Sequence, residues 1–204
     1  MHVKTESSYV TKPYFTLPGS IAKASIAPSC LACFDYTNAL ADVVVGYMGA
    51  PLERNARMDT SYQTLTVRNE RGAQMVETAL DALRLEIHGT AGGQGSHEKL
   101  ASATVVSDGI VQGMIGGIVR EEGMPLWMAE VVASVMTFVG PKGVNFARYS
   151  IDYHILRNYL YVLHVWGEER ANIALPAYAR AIVDRYLESD KALAALQSKL
   201  DSKQ

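Results

Sequence analysis

Cys30 and Cys33 are the only cysteines among 204 residues, and they stand as C-x-x-C in Pro28-Ser-Cys30-Leu-Ala-Cys33-Phe-Asp35. Two thiolates at this spacing can grip one metal ion or one cluster from the same side. A structural zinc takes four nitrogen or sulfur ligands, and a 4Fe–4S cluster takes four thiolates. The pair is therefore half of a site completed from elsewhere, or it works as a bare dithiol. A C-x-x-C ahead of a helix suits redox exchange, because the helix dipole favours a thiolate. That pattern wants a strand, the motif and then a long helix, whereas here a second strand-like run, Val43-Val-Val45, follows closely. A structural zinc half-site and two inert buried thiols are the remaining readings.

Asp35, Asn38 and Asp42 surround the cysteines and could hydrogen-bond to whatever they hold. Their plainer roles are capping for Asp35 and turn formation for Asp42. Gly46 and Gly49 end the apolar run. They could admit a flat ring against the backbone, or simply mark a strand exit. A second concentration of polar groups lies at Arg148, Asp152, Tyr153, His154 and Arg157. Arginine grips anions, tyrosine stacks on flat rings, and His154 or Asp152 could move a proton. The plainer reading is a helix surface laced with ion pairs, since Arg148 and Asp152 are four apart. Asp152, His154 and Arg157 cannot all share one helix face. His88 and His97, beside the Gly-rich stretch 89–96, are expected to be solvated.

These groups need a scaffold. Residues 1–17 alternate weakly and read as one or two strands, with a turn at Pro18-Gly19. Ala27 precedes Pro28 and is pushed to extended geometry, which puts the cysteines on a loop. Asp35 or Thr37 would cap a short helix running through Leu40. Residues 42–49 read as a buried strand, 51–61 as a polar loop and 62–68 as a strand, with a turn at Asn69–Gly72. Helical spacing runs from Gln74 to Ile87. Leu100–Val119 is ambiguous. Residues 126–139 form an apolar helix, interrupted by Glu130 and short of the roughly twenty residues that span a membrane. A helix follows from Leu175 to Leu187, with Pro176 in its first turn, and the tail from Asp190 should fray. The expected domain is 1–188, with a helical tail at 189–204.

Apolar residues make up 49% and charged residues 20%, with a net charge of −2, as in ordinary globular chains. No concentrated basic face points to nucleic acid. Two cysteines alone exclude a disulfide-stapled secreted fold. The start lacks a signal-peptide pattern and reads as a strand entering mid-fold, so an upstream portion is expected.

Pro28-Ser-Cys30-x-x-Cys33-Phe-Asp35-Tyr, with Ala41-Asp42 and Val45-Gly46-Tyr47-Met48-Gly49, resembles the C-terminal half of the coenzyme F420 hydrogenase/dehydrogenase β-subunit family. Gly140-Pro-Lys-Gly-Val-Asn-Phe-Ala-Arg148-Tyr-Ser-Ile-Asp152-Tyr-His154-Ile-Leu-Arg157-Asn158 looks like its chlorophyll-metabolism branch. Trp166-Gly167-x-x-Arg170-Ala171-Asn172, with Pro176-x-Tyr178-Ala179 and Val67-Arg68-Asn69-Glu70-Arg71-Gly72, looks closest to members that act on a 7-hydroxymethyl group. The resemblance covers residues 9–188.

The resemblance implies an α/β fold, a mixed sheet with flanking helices, in a protein holding FAD and 4Fe–4S clusters. It makes Cys30 and Cys33 cluster ligands and places Asp35, Asn38, Asp42, Gly46 and Gly49 at a cofactor. Toward the chlorophyll-type substrate it implies, the chemistry of Arg148, Tyr153 and Arg157 suits substrate contact, and that of His154 and Asp152 suits proton transfer. The implied activity is ferredoxin-dependent reduction of 7-hydroxymethyl chlorophyll a to chlorophyll a. Saturation of a divinyl (proto)chlorophyllide 8-vinyl group is the alternative within the family. A truncated, non-catalytic binding or assembly subunit is the alternative of another class. The expected partners are ferredoxin, a chlorophyll-type tetrapyrrole, a missing N-terminal half or partner chain with further cysteines, and further copies in a homo-oligomer. The expected place is the chloroplast stroma or the cytoplasm of a photosynthetic bacterium.

Overall fold

The computed structural model describes residues 2–47, 49–50, 61–117, 119 and 121–202. Residues 51–60 of the expected polar loop lie outside them. The order is β1 (His2–Lys4), β2 (Tyr9–Thr11), α1 (Gly19–Ala24), α2 (Pro28–Leu31), β3 (Val43–Gly46), β4 (Thr64–Val67), α3 (Glu70–Asp81), β5 (Gly93–Gln94), α4 (Glu98–Ser107), α5 (Gly109–Met114), α6 (Leu126–Val139), β6 (Lys142–Gly143), α7 (Val144–Trp166), α8 (Glu168–Ala174), α9 (Ala177–Ser189) and α10 (Lys191–Asp201). The fold class is mixed α/β, as expected, with helices and small antiparallel sheets. Two units divide it: Met1–Phe34 with Glu98–Gly140 and Asp152–Gln204, and Asp35–His97 with Pro141–Ile151.

In the first unit, β1 pairs antiparallel with β2, Val3 opposite Val10. The core is built on α7, where Ile155, Leu156, Leu160, Val162 and Leu163 are buried. Ala101 and Val105 of α4 and Ala179, Val183 and Tyr186 of α9 add to it. The ambiguous stretch resolves into α4 and α5. Asp108 separates them, its Oδ1 capping the amides of Ile110 at 2.8 Å and Val111 at 3.1 Å.

The tail does not fray. Leu193, Leu196 and Leu200, at helical spacing, are buried, and α10 packs on α4 and α9. Asp190 caps it through Ala192 N at 2.8 Å and Leu193 N at 3.2 Å, and Ser102 Oγ donates to the same carboxylate. That set of bonds, led by Ser102, holds the Asp190 carboxyl below its ordinary range.

The apolar helix forms as α6, but it buries only Ala129 among its described residues. Trp127, Val131, Val135 and Phe138 stay exposed, at spacing that places them along one side. Among the described residues, no helix is long and apolar enough to cross a membrane. Helix α8 lies outside the expected elements. Gly167, at φ +81°, turns the chain out of α7 into it.

In the second unit, β3 and β4 pair antiparallel, Val43 opposite Val67 and Gly46 opposite Thr64. The turn expected at Asn69–Gly72 is instead the start of α3. Asn69 accepts the Gly72 amide at 2.9 Å as an N-cap. A Cβ at Gly72 would lie 2.3 Å from the Asp42 carbonyl oxygen, so only glycine lets this first turn approach β3. Gly72→Ala is expected to lower stability by about 1–3 kcal/mol, as overpacking does, read as a lowered urea midpoint. The short helix expected before Leu40 is absent. Asn38 adopts φ +50°, and Asp35 Oδ1 accepts the Ala39 amide at 2.7 Å, which closes a turn. Strand β5 pairs with β6, Gly93 opposite Gly143.

Candidate functional site

Pro28 opens α2 at its N-terminus, and Ala27 before it is extended (φ −65°, ψ 144°), as expected. The cysteines therefore sit on a single helical turn and its exit, rather than on a plain loop. Both thiols are exposed, while Leu31 and Phe34 are buried and anchor the turn.

The backbone of this turn is held from α7 and α9. Asn158, only 1% exposed, donates from Nδ2 to the Cys30 carbonyl at 3.0 Å and to the Cys33 carbonyl at 2.7 Å. Tyr178 donates its hydroxyl to the Phe34 carbonyl. Asn158 Oδ1 accepts Arg157 Nε at 3.2 Å and Nη2 at 3.1 Å. The Arg157 guanidinium lies 5.3 Å from the Tyr153 ring centroid, a cation–π contact. Tyr153 donates to Asp108 Oδ2 at 2.6 Å. Burial first, and then the Asp108 charge, raise the Tyr153 phenol far above its ordinary range, so it stays a neutral donor.

Two of the candidates on α7 are buried. Arg157 is 6% exposed and spends its fork inside the fold, on Asn158. Asp152 is the other. It is buried and accepts Arg185 Nη2 and the Tyr186 hydroxyl, each at 2.8 Å. Burial first, and then that bond, push the Tyr186 phenol far up. His154 stacks at a tilt on Tyr153, with centroids 4.7 Å apart. Burial, aided by Arg157, lowers its pKa from 6.5 to about 4, so the imidazole is neutral at pH 7.

The second unit places the other candidates. Asp42 accepts Asn69 Nδ2 at 2.7 Å and Arg71 Nε at 2.8 Å. The Asn69 bond first, and the Arg71 bond next, hold its carboxyl below the ordinary range. Asp35 and Asn38 form the turn already described. Gly46 has open space where a Cβ would point, but at Gly49, with φ +82°, that space is taken by the Gly143 carbonyl, 3.0 Å away. Arg148 is exposed and reaches Asn145 Oδ1 at 3.4 Å. Of the two flanking histidines, His97 is buried rather than solvated, and His88 lies edge-on to Tyr62 at 4.9 Å.

The donor chemistry fits a cluster in part. Two exposed thiols on a pinned turn fit two of four thiolate positions. Among the described residues, no group of three or more His, Cys, Asp or Glu could hold a metal ion. A four-thiolate site therefore takes its other two sulfurs from outside this sequence. FAD fits less well. Asp35, Asp42 and Gly49 make internal contacts, whereas Gly46 leaves backbone open.

Sequence reasoning gives no role to Asn158, Tyr178 or Asp108, the residues that hold the turn and its support, although the first two lie in the motifs of the resemblance. The available signal is an Arg-Asn pair set between Ile155-Leu156 and Tyr159-Leu160, a polar step in an apolar run. An open apolar hollow lies at the end of α7 and along α8, lined by Trp166, Arg170, Ile173 and Ala174.

Residues 2–91 match the family described as coenzyme F420 hydrogenase/dehydrogenase, C terminus of the beta subunit. The chain is 39% identical over 198 residues to a chloroplastic 7-hydroxymethyl chlorophyll a reductase of Oryza sativa subsp. japonica, covering 97% of this chain and 41% of that protein. It is 35% identical over 191 residues to an uncharacterized protein of Nostoc sp. (strain PCC 7120), covering 91% of this chain and 42% of that protein. The chain thus spans about two fifths of the length of these curated relatives.

Proposed function

We propose that this chain, whose residues 2–91 belong to the C-terminal family of the coenzyme F420 hydrogenase/dehydrogenase β-subunit, is part of an iron–sulfur flavoprotein reductase of chlorophyll metabolism. The proposed reaction takes 7-hydroxymethyl chlorophyll a, the compound in the name of the rice relative, to chlorophyll a, with reduced ferredoxin as the proposed electron donor. One observation carries the reading: the backbone-pinned turn that exposes Cys30 and Cys33, in a chain so similar to that reductase.

Replacing a hydroxyl by hydrogen consumes two electrons and two protons and releases water, so two ferredoxins serve one turnover. A bound cluster supplies one-electron transfer, at a potential set by hydrogen bonds and charge around its sulfurs. Cys30 and Cys33 would supply two of its thiolates, and the other two would come from outside this sequence. Arg148, exposed, is the candidate grip for a carboxylate. The hollow at Trp166 and Arg170 offers an apolar wall with a cation at its rim, which suits the edge of a tetrapyrrole. His154, neutral at pH 7, is suited to relay a proton rather than to store one. Asp152 acts through the bonds that fix Arg185 and Tyr186. The chloroplast stroma is the proposed place, and a homo-oligomer the proposed state.

A second reading, a non-catalytic assembly subunit, is favoured by the exposed apolar side of α6. Anaerobic expression of this chain, alone and with the remainder of a full-length relative, decides between them by iron, acid-labile sulfide and flavin per polypeptide. Iron and sulfide acquired in the pair support the reductase. A folded pair without iron overturns it.

A further inference from the structure

We infer that Asn158, held by Arg157, is the positioning residue of the Cys30–Cys33 pair, tying both thiol-bearing residues to one amide so that they act as a chelating dithiol. This rests on the reading of the pair as metal-facing. A side-chain amide buried to 1% is costly unless its polar atoms are used. Here Nδ2 serves the carbonyls of the two cysteines, and not those of Leu31 or Ala32 between them. Both carbonyls converge on one nitrogen, while both thiols remain exposed. The inner side of the turn is therefore fixed at the two positions whose outer sides would meet a metal.

Arg157 completes the device. Its fork fixes the amide orientation, because only Oδ1 can accept it. Its other contacts are with neutral Tyr153, at 3.5 Å to the hydroxyl and 5.3 Å to the ring centroid. Among the described residues, no carboxylate pairs with it. A buried cation on the oxygen of the amide polarises it and strengthens its two N–H bonds to the cysteine carbonyls. The same charge favours an anionic group seated on the turn. Asp108 anchors the chain of contacts through the Tyr153 hydroxyl.

Phenylarsine oxide tests this on the reduced chain. The reagent bridges two thiols: two S–H bonds are lost, two As–S bonds form, and its oxygen leaves as water. Asn158→Leu is expected to weaken the arsenical by about tenfold or more, in the range typical of outer residues at metal sites. Alkylation of each thiol by iodoacetamide is expected to stay unchanged, because a single thiol needs no partner. Asn158→Gln should recover part of the loss. Arg157→Met, which keeps the bulk of the side chain, should weaken the arsenical in the same sense and serves where Asn158→Leu does not fold. Unchanged arsenical affinity in the folded variants overturns the inference. Equal loss of arsenical affinity and single-thiol reactivity overturns it too, since that reports general disorder of the turn. The cluster reading fails separately. Iron retained in Cys30→Ser protein removes the cluster, while an arsenical contrast that persists leaves Asn158 as the positioner of a plain dithiol.

Discussion

Iron content and ferredoxin-dependent turnover, both parts of the proposed reductase, are expected to fall together when Cys30 is replaced by serine in the cluster-loaded protein. The structure makes this substitution clean. The Cys30 side chain is exposed, and what holds the turn is its backbone carbonyl, which Asn158 binds whatever the side chain. Stability should therefore move by no more than about 0.5 kcal/mol, as for other surface changes. A hydroxyl is a poor replacement for a thiolate on iron, so turnover should drop by more than the roughly 10–100-fold seen for residues behind the ligands. Cys33→Ser should behave alike, because the second carbonyl bond, at 2.7 Å, is also independent of the side chain. Iron per polypeptide and visible absorption, measured beside a urea titration, separate ligand loss from unfolding. Iron unchanged in either variant would sink the ligand assignment.

The contrast between the two cysteine carbonyls and the residues that hold them explains what the sequence could reveal. The C-x-x-C spacing is local, and so are the apolar run behind β3, the alternation behind β4, the apolar run of α6 and the Pro176 signal for α9. Each is legible because its cause lies within a few positions. The signals that mislead are those whose meaning is set by a distant partner. Tyr153 finds Asp108 across 45 positions, Asp152 finds Arg185 across 33, and Asn158 finds the cysteine carbonyls across 125 and 128. Without those partners, the polar groups of α7 read as a solvated face with an Arg148–Asp152 pair. With them, most of the helix from Asp152 to Leu163 is buried. The tail misleads for a related reason. Its Lys and Gln content suggests fraying, but Leu193, Leu196 and Leu200 carry a stripe that only α4 and α9 could cover. Asn69 shows the same ambiguity at short range, since one residue type serves both turns and N-caps.

Burial of α7 also sets a pH limit on the fold, through His154. Its pKa is about 4 in the folded chain against 6.5 when free, chiefly because burial penalises the imidazolium. Above pH 6.5 both folded and unfolded chains hold it neutral, and its contribution is complete. As pH falls below 6.5 the unfolded chain takes up a proton that the folded chain refuses, so stability declines until about pH 4. The full loss is at most about 3 kcal/mol, because solvent reaching the half-buried ring screens part of the burial cost. Asp42 and Asp190 also have lowered values, but they titrate near and below their free value of 3.8. Their losses come later in the acid limb, so the decline from pH 6.5 to pH 4.5 belongs mainly to His154. Urea midpoints at pH 7.5 and 4.5 should differ clearly in the wild-type chain and much less in His154→Gln, which cannot protonate. Equal declines in the two would mean that His154 is solvated enough to charge within the fold. A neutral imidazole held beside Arg157 is also the condition under which the cation keeps its contacts to Asn158, since an imidazolium there would repel it. Loss of the arsenical-binding contrast near pH 4 and below, where the folded chain protonates His154, would tie the two observations to one cluster of side chains.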